Sequence, residues 1–203
     1  MTPDLRLLLV ATLRPDAPLD LDRVRSALQG GVTLVQGRGK GFATGLLIER
    51  YREMMAVCAE RQVPFLINDR PDLASVLDTA GAHVGPEDLP PVAARRVLGE
   101  RWLGVSARSM SRLREAAEAR ATYVGIGALR GTVSKPEAKV IGLGRISELI
   151  RVSPVPSIVI GGVTPEDLPV LRATGAAGVA VASGILDAPD PEAAARAYRD
   201  RWG

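Results

Sequence analysis

Short apolar runs of four to seven residues alternate with longer amphipathic segments along the whole chain. Apolar runs bounded by Gly, Pro and polar clusters read as strands, and segments with a 3.6-residue apolar spacing read as helices. On that basis strands are predicted over residues 5–11, 32–36, 63–67, 81–84, 102–106, 123–126, 157–160 and 178–181. Helices are predicted over residues 19–29, 42–61, 71–79, 90–98, 109–119 and 143–152. Another opens at Thr164-Pro165-Glu166-Asp167, with Thr164 as N-cap and Pro165 at the first helical position. The last runs from residue 190 to about residue 201, and Gly30-Gly31 marks the stop of the first. The predicted strands do not alternate polar with apolar residues, the pattern of strands covered on both faces, as in parallel sheets. Eight strand–helix units in 203 residues therefore predict an α/β protein, a single-domain (β/α)8 TIM barrel spanning residues 1–203. An open doubly wound sheet would place a G-x-G-x-x-G turn after the first strand. Val10-Ala11-Thr12-Leu13-Arg14 is unlike it. No linker composition, repeat or low-complexity tract marks a second domain.

Composition changes this picture little. Aromatic residues make up 3% of the chain, so the core must be built from Val, Leu, Ile and Ala. No apolar run approaches the roughly 18 residues of a membrane span, and the N-terminus lacks the pattern of a secretory signal. A cytoplasmic protein without a membrane partner is expected. Cys58 is the one cysteine and falls in a helical pattern, where it reads as a buried small apolar residue. The net charge is +3, but the basic residues are scattered. They form no stripe interleaved with aromatics, which argues against nucleic acid as a partner. The chain writes Arg almost everywhere and Lys only at Lys40, Lys135 and Lys139. An ammonium and a guanidinium are not interchangeable, which singles out the loop lysines Lys40 and Lys135.

The polar residues of interest fall at the predicted strand C-termini, where parallel α/β proteins bind ligands. After the second strand Gln36, Arg38 and Lys40 occupy alternate positions and can face one ligand together. Asn68 and Asp69 follow the third strand, Asp88 the fourth, and Ser106 and Arg108 the fifth. Thr132, Ser134 and Lys135 lie in the polar loop after the sixth; Gly161-Gly162 and Ala182-Ser183-Gly184 follow the last two. Paired carboxylates at adjacent strand ends, with cations beside them, suit a hard divalent ion held against a diphosphate. Glycine turns after the last two strands suit a monophosphate. The plainer alternatives are turn-capping aspartates, an ordinary tight turn at Gly161-Gly162, loop-shaping roles for Thr132 and Ser134, and a satisfied core histidine at His83.

The stretches GVTLVQGRGK, INDRPDLA, GAHVGPEDLP, LGVSARS, GTVSKP, VIGGV and GVAVASGI, in that order, resemble the thiamine phosphate synthase family. The resemblance implies a (β/α)8 barrel that joins hydroxymethylpyrimidine diphosphate to thiazole phosphate and releases diphosphate with Mg²⁺. It implies Asp69 and Asp88 as metal ligands. Arg38, Lys40, Asn68 and Lys135 would hold the diphosphate, with Gln36 and Ser106 near the pyrimidine. Thr132, Ser134, Gly162, Ala182 and Ser183 would receive the thiazole phosphate. It also implies a dissociative mechanism that needs charge stabilisation more than a general base. Gly37 and Gly39 stand where the family usually writes bulkier residues, which predicts a looser loop around Arg38 and Lys40. Partners are thus small-molecule substrates, and a homo-oligomer is allowed. Two rivals remain: a thiazole tautomerase on the same barrel, whose relatives place a histidine where this chain has Arg108, and a noncatalytic sensor of a phosphorylated precursor.

Overall fold

Alternate residues of a strand point to opposite faces, and in this chain both faces are apolar for different reasons. The computed structural model describes residues 2–17, 20–131 and 139–203. Eight strands close in chain order into a parallel barrel: β1 Leu7–Leu13, β2 Leu34–Gly39, β3 Phe65–Asn68, β4 Gly81–Val84, β5 Trp102–Ser106, β6 Tyr123–Gly127, β7 Ser157–Ile160 and β8 Gly178–Val181. The helices are α1 Leu21–Gln29, α2 Thr44–Ala59, α3 Pro71–Val76, α4 Pro91–Leu98, α5 Met110–Glu118, α6 Gly142–Val152, α7 Leu168–Ala173, α8 Ser183–Leu186 and α9 Pro191–Trp202. Leu7, Leu9 and Ala11 of β1 pack outward with Val35, Ile67, Val84, Val124 and the helices. Leu8 and Val10 point inward with Leu34, Leu66, Tyr123, Ile158 and Ala180. Each such buried aliphatic side chain contributes about 1.5–3 kcal/mol. Among the described residues no helix is long and apolar enough to cross a membrane.

The inward set changes character along the barrel axis. Bulky apolar residues fill the N-terminal end, and one inward step further the strands present Gln36, Asn68, His83 and Ser106. A packed plug therefore ends in a polar floor, open toward the strand C-termini. Helix starts are set locally. The Asp20 side chain accepts from the amides of Asp22 and Arg23 to cap α1, Ser109 from that of Arg112 at α5, and Asp190 from that of Ala193 at α9.

The predicted strands at 81–84, 102–106, 157–160 and 178–181 coincide with β4, β5, β7 and β8. Three expectations need correction. β2 runs on to Gly39, so Arg38 belongs to a strand paired with β1, Thr12 opposite Arg38, and not to a loop. Gly37 and Gly39 do not loosen it: both face outward into packed side chains. A Cβ on Gly37 would lie 2.5 Å from Phe65 Cζ and 2.9 Å from Tyr51 Cε1, and one on Gly39 2.4 Å from Leu47 Cδ1. The bulk is supplied by Tyr51, Phe65 and Leu47. Ser183, read as part of a glycine turn after the eighth strand with no helix assigned there, begins the one-turn helix α8.

Candidate functional site

The strand C-termini surround a cavity of about 350 Å³. Its wall holds every predicted site residue that the structure describes: Gln36, Arg38, Lys40, Asn68, Asp69, Asp88, Ser106, Gly162, Ala182 and Ser183. Thr132, Ser134 and Lys135 lie outside the described residues. Chain segments more than 140 residues apart in sequence thus converge on one space because the barrel closes in order.

One side of the cavity is acidic and basic together. The Asp69 amide donates to the His83 carbonyl at 2.8 Å, continuing the β3–β4 ladder by one residue. The chain then turns sharply, with Asp69 at φ +65°, a left-handed conformation that Asp tolerates better than most residues. Lys40 Nζ lies 3.5 Å from its carboxylate. Burial, followed by hydrogen bonding and repulsion from Asp88, raises the Asp69 pKa to about 6, against the opposing pull of Lys40 and Arg38. Asp88 also accepts from the Gly85 amide at 2.6 Å, so the turn-capping reading of that residue holds alongside any other. At Asp69, burial and a neighbouring carboxylate together disfavour the ionised form, which marks a place short of positive charge. Among the described residues no cluster of three or more His, Cys, Asp and Glu could hold a metal ion by itself. Magnesium does not need one: it takes one or two carboxylates and completes its shell with water and phosphate oxygens. The donor set fits that ion.

The floor is a hydrogen-bonded layer. Gln36 Nε2 donates to Asn68 Oδ1 at 2.7 Å, which leaves the Asn68 amide hydrogens to other acceptors. His83 Nε2 lies 2.9 Å from Ser106 Oγ and its Nδ1 lies 3.0 Å from the Tyr123 hydroxyl. Burial pushes the His83 pKa down to about 4, so the ring is neutral at pH 7. It is the satisfied core histidine of the plainer reading, yet it also borders the cavity. Cys58, as expected, is buried.

The opposite side is built from backbone. Gly161 and Gly162 have φ of +92° and +67°. A Cβ on Gly161 would lie 2.5 Å from that of Ala128, and one on Gly162 2.9 Å from Gly131 O, so both positions require glycine. Arg130 fastens this turn: it donates to the Gly162 carbonyl at 3.1 Å and to both carboxylate oxygens of Asp167. Asp167 in turn accepts from the Thr164 amide and hydroxyl, and these hydrogen bonds, the Arg130 one foremost, hold its carboxyl below the usual range. The predicted helix start is therefore a capped 3-10 turn, Pro165–Asp167, leading into α7. Tyr198 of α9 donates to Val163 O at 2.8 Å, and Ser183 at the start of α8 completes the wall.

Sequence reasoning missed Arg130, Asp167, Tyr198 and Thr12. Arg130 and Tyr198 act on the turn from elements more than 30 residues away in sequence, and no local signal announces that, whereas Asp167 was read only as part of the helix start. Thr12 was legible. It continues the inward series Leu8, Val10 at the end of β1, and its Oγ1 is buried with no hydrogen-bond partner among the described residues. Such an orphan on a cavity wall calls for a ligand group or water.

Residues 7–185 match the sequence profile of a family described as thiamine monophosphate synthase. A thiamine-phosphate synthase of Roseiflexus castenholzii is 41% identical over 182 residues, covering 89% of this chain and 80% of the relative. Thiamine-phosphate synthase 2 of Streptococcus pneumoniae serotype 4 is 36% identical over 196 residues, covering 96% and 93%. Among solved structures, a thiamine phosphate pyrophosphorylase from Pyrococcus furiosus superposes with a TM-score of 0.88 at 30% identity, covering 98% of this chain and 96% of that one.

Proposed function

The chain belongs to the thiamine monophosphate synthase family, and from that premise we propose that its strand-end cavity runs the transfer with Mg²⁺ on the Asp69 and Asp88 side. The enzyme joins hydroxymethylpyrimidine diphosphate to thiazole phosphate, giving thiamine phosphate and diphosphate. One observation carries the assignment of sides: a single cavity sets paired carboxylates and two cations against a glycine turn fixed from behind by Arg130.

Asp69 and Asp88 would hold the ion, which when bound supplies charge neutralisation to the leaving diphosphate. Arg38, Lys40 and the Asn68 amide bind the diphosphate oxygens, and Lys135 joins them. Gln36 and Ser106 orient the pyrimidine side. The bond from the pyrimidine methylene carbon to the diphosphate oxygen breaks, and its electron pair leaves with the diphosphate. The thiazole nitrogen then donates its lone pair to the cationic carbon. Fixed charges stabilise the separating ions without reorganising, which is where electrostatic catalysis gains most. Gly162, Ala182, Ser183, Thr132 and Ser134 hold the thiazole phosphate and so fix the nitrogen in line. No general base is required, in keeping with a neutral His83.

Neither rival is favoured. Arg108 lines the cavity where the tautomerase reading wants a histidine, and a sensor of thiazole phosphate would have no use for Asp69 and Asp88. This reading also expects a cytoplasmic enzyme. Calorimetry on the two half-sites tests it. Asp69→Ala should abolish Mg²⁺-dependent diphosphate binding while leaving thiazole phosphate binding within about twofold. Ser183→Asp should do the reverse by setting like charge at the monophosphate. Equal loss of both ligands in either variant would overturn the two-sided assignment.

A further inference from the structure

We propose that His83 is a positioning residue which, together with Tyr123, fixes the Ser106 hydroxyl as a hydrogen-bond donor toward the cavity. The inference rests on the reading of Ser106 as a substrate-facing group. Three neighbouring strands build the arrangement. Register places His83 opposite Gly104 and Gly104 opposite Tyr123, with Ser106 opposite Gly125. A Cβ on Gly104 would lie 2.5 Å from both His83 Nδ1 and the Tyr123 hydroxyl, and one on Gly125 would lie 3.2 Å from His83 Cε1. Two glycines thus hollow out the barrel interior for an imidazole and a phenol where aliphatic side chains would otherwise pack.

Counting protons settles the direction of the chain. Tyr123 is fully buried, and among the described residues its hydroxyl has one hydrogen-bond partner, His83 Nδ1. If Nδ1 carried the ring proton, the phenol hydrogen would be stranded in the barrel without an acceptor. The phenol therefore donates to Nδ1. A neutral ring then carries its proton on Nε2, and Nε2–H donates to Ser106 Oγ at 2.9 Å. The serine hydrogen has to point elsewhere, and Ser106 borders the cavity. A hydroxyl that already accepts is a stronger donor, which suits a hydrogen-bond acceptor on the pyrimidine side. The opposite tautomer would take the serine proton and present only lone pairs to the pyrimidine side. Tyr123, buried beneath the ring, thus decides the polarity of the group above it.

His83 is the sole histidine, so nitrogen-15 histidine labelling of the full chain, with any affinity tag removed, gives one imidazole in the NMR spectrum. The expected result without substrate is a ring protonated at Nε2 and bare at Nδ1; a ring protonated at Nδ1 overturns the proposal. That readout needs no turnover, so its failure is separable from failure of the transferase reading. Kinetics supply the second arm. Tyr123→Phe should lower kcat roughly tenfold while leaving the thiazole phosphate KM within twofold, and should add nothing in a Ser106→Ala background. His83→Gln, whose amide can still donate to Ser106, should retain at least fivefold more kcat than His83→Leu. Additive losses, or equal kcat in the Gln and Leu variants, would reduce His83 to a packing residue and overturn the proposal.

Discussion

Replacing Asp69 with Asn should make the ligand-free protein more stable while abolishing its metal-dependent turnover. The carboxyl pKa rises from 3.8 to about 6 in the folded chain. Roughly two units at about 1.4 kcal/mol each give an upper bound near 3 kcal/mol. The Asp69 side chain is 21% exposed, so water reaches it and about 2 kcal/mol is the working expectation. At roughly 2–4 °C per kcal/mol for a domain of this size, the melting temperature should rise by about 4–8 °C at pH 8. The pH dependence follows from the sign of the shift. Folded Asp69 binds its proton more tightly than unfolded Asp69, so protonation favours the folded state. Its contribution is fully present below the unfolded value of 3.8 and is lost as pH rises through about 6. The advantage of Asn should therefore be complete at pH 8, about half that at pH 5, and small near pH 4. Thermal unfolding followed by circular dichroism in EDTA measures it. Adding Mg²⁺ with diphosphate should narrow the gap by stabilising only the parent. A less stable Asn variant at pH 8, or a gain that does not change with pH, would refute the picture of two crowded carboxylates awaiting a cation.

Gly37→Ala should lower stability by about 1–3 kcal/mol, since its methyl meets Phe65 and Tyr51, which already pack edge to face with centroids 5.8 Å apart; an unchanged melting curve would show that the pair yields freely. Tyr51→Phe removes the acceptor of the Gly39 amide, 3.3 Å away, and should cost about 1 kcal/mol in denaturant titration with little loss of turnover. Arg130→Ala unfastens the Gly161-Gly162 turn and should raise the thiazole phosphate KM about tenfold, leaving that of the pyrimidine diphosphate within twofold; steady-state kinetics with each substrate varied in turn would show it.

The barrel was legible because doubly buried strands leave unbroken apolar runs, and eight of them in one chain leave few alternatives. The site was legible for a related reason. Polar residues gather at the C-terminal ends of those runs, so Asn68-Asp69, Asp88 and Ser106 declared themselves without any tertiary information. Strand ends were read less well. Gln36-Gly37-Arg38-Gly39 looks like a loop because glycine is a poor strand former, but here Tyr51, Phe65 and Leu47 occupy the volume its side chains would have filled. The Arg130–Asp167 fastening and the Tyr123–His83–Ser106 chain were invisible because each depends on residues 23 or more apart meeting across the closed sheet, or through two glycines whose purpose is the space they leave.

The most direct test of the account is product formation by the purified chain. With pyrimidine diphosphate, thiazole phosphate and Mg²⁺, thiamine phosphate should accumulate, measured by oxidation to its fluorescent derivative. EDTA should abolish it, and so should Asp88→Ala in the presence of Mg²⁺. Product formed at an undiminished rate in EDTA, or by the Asp88→Ala variant, would contradict the assignment of metal and diphosphate to the Asp69 and Asp88 side of the cavity.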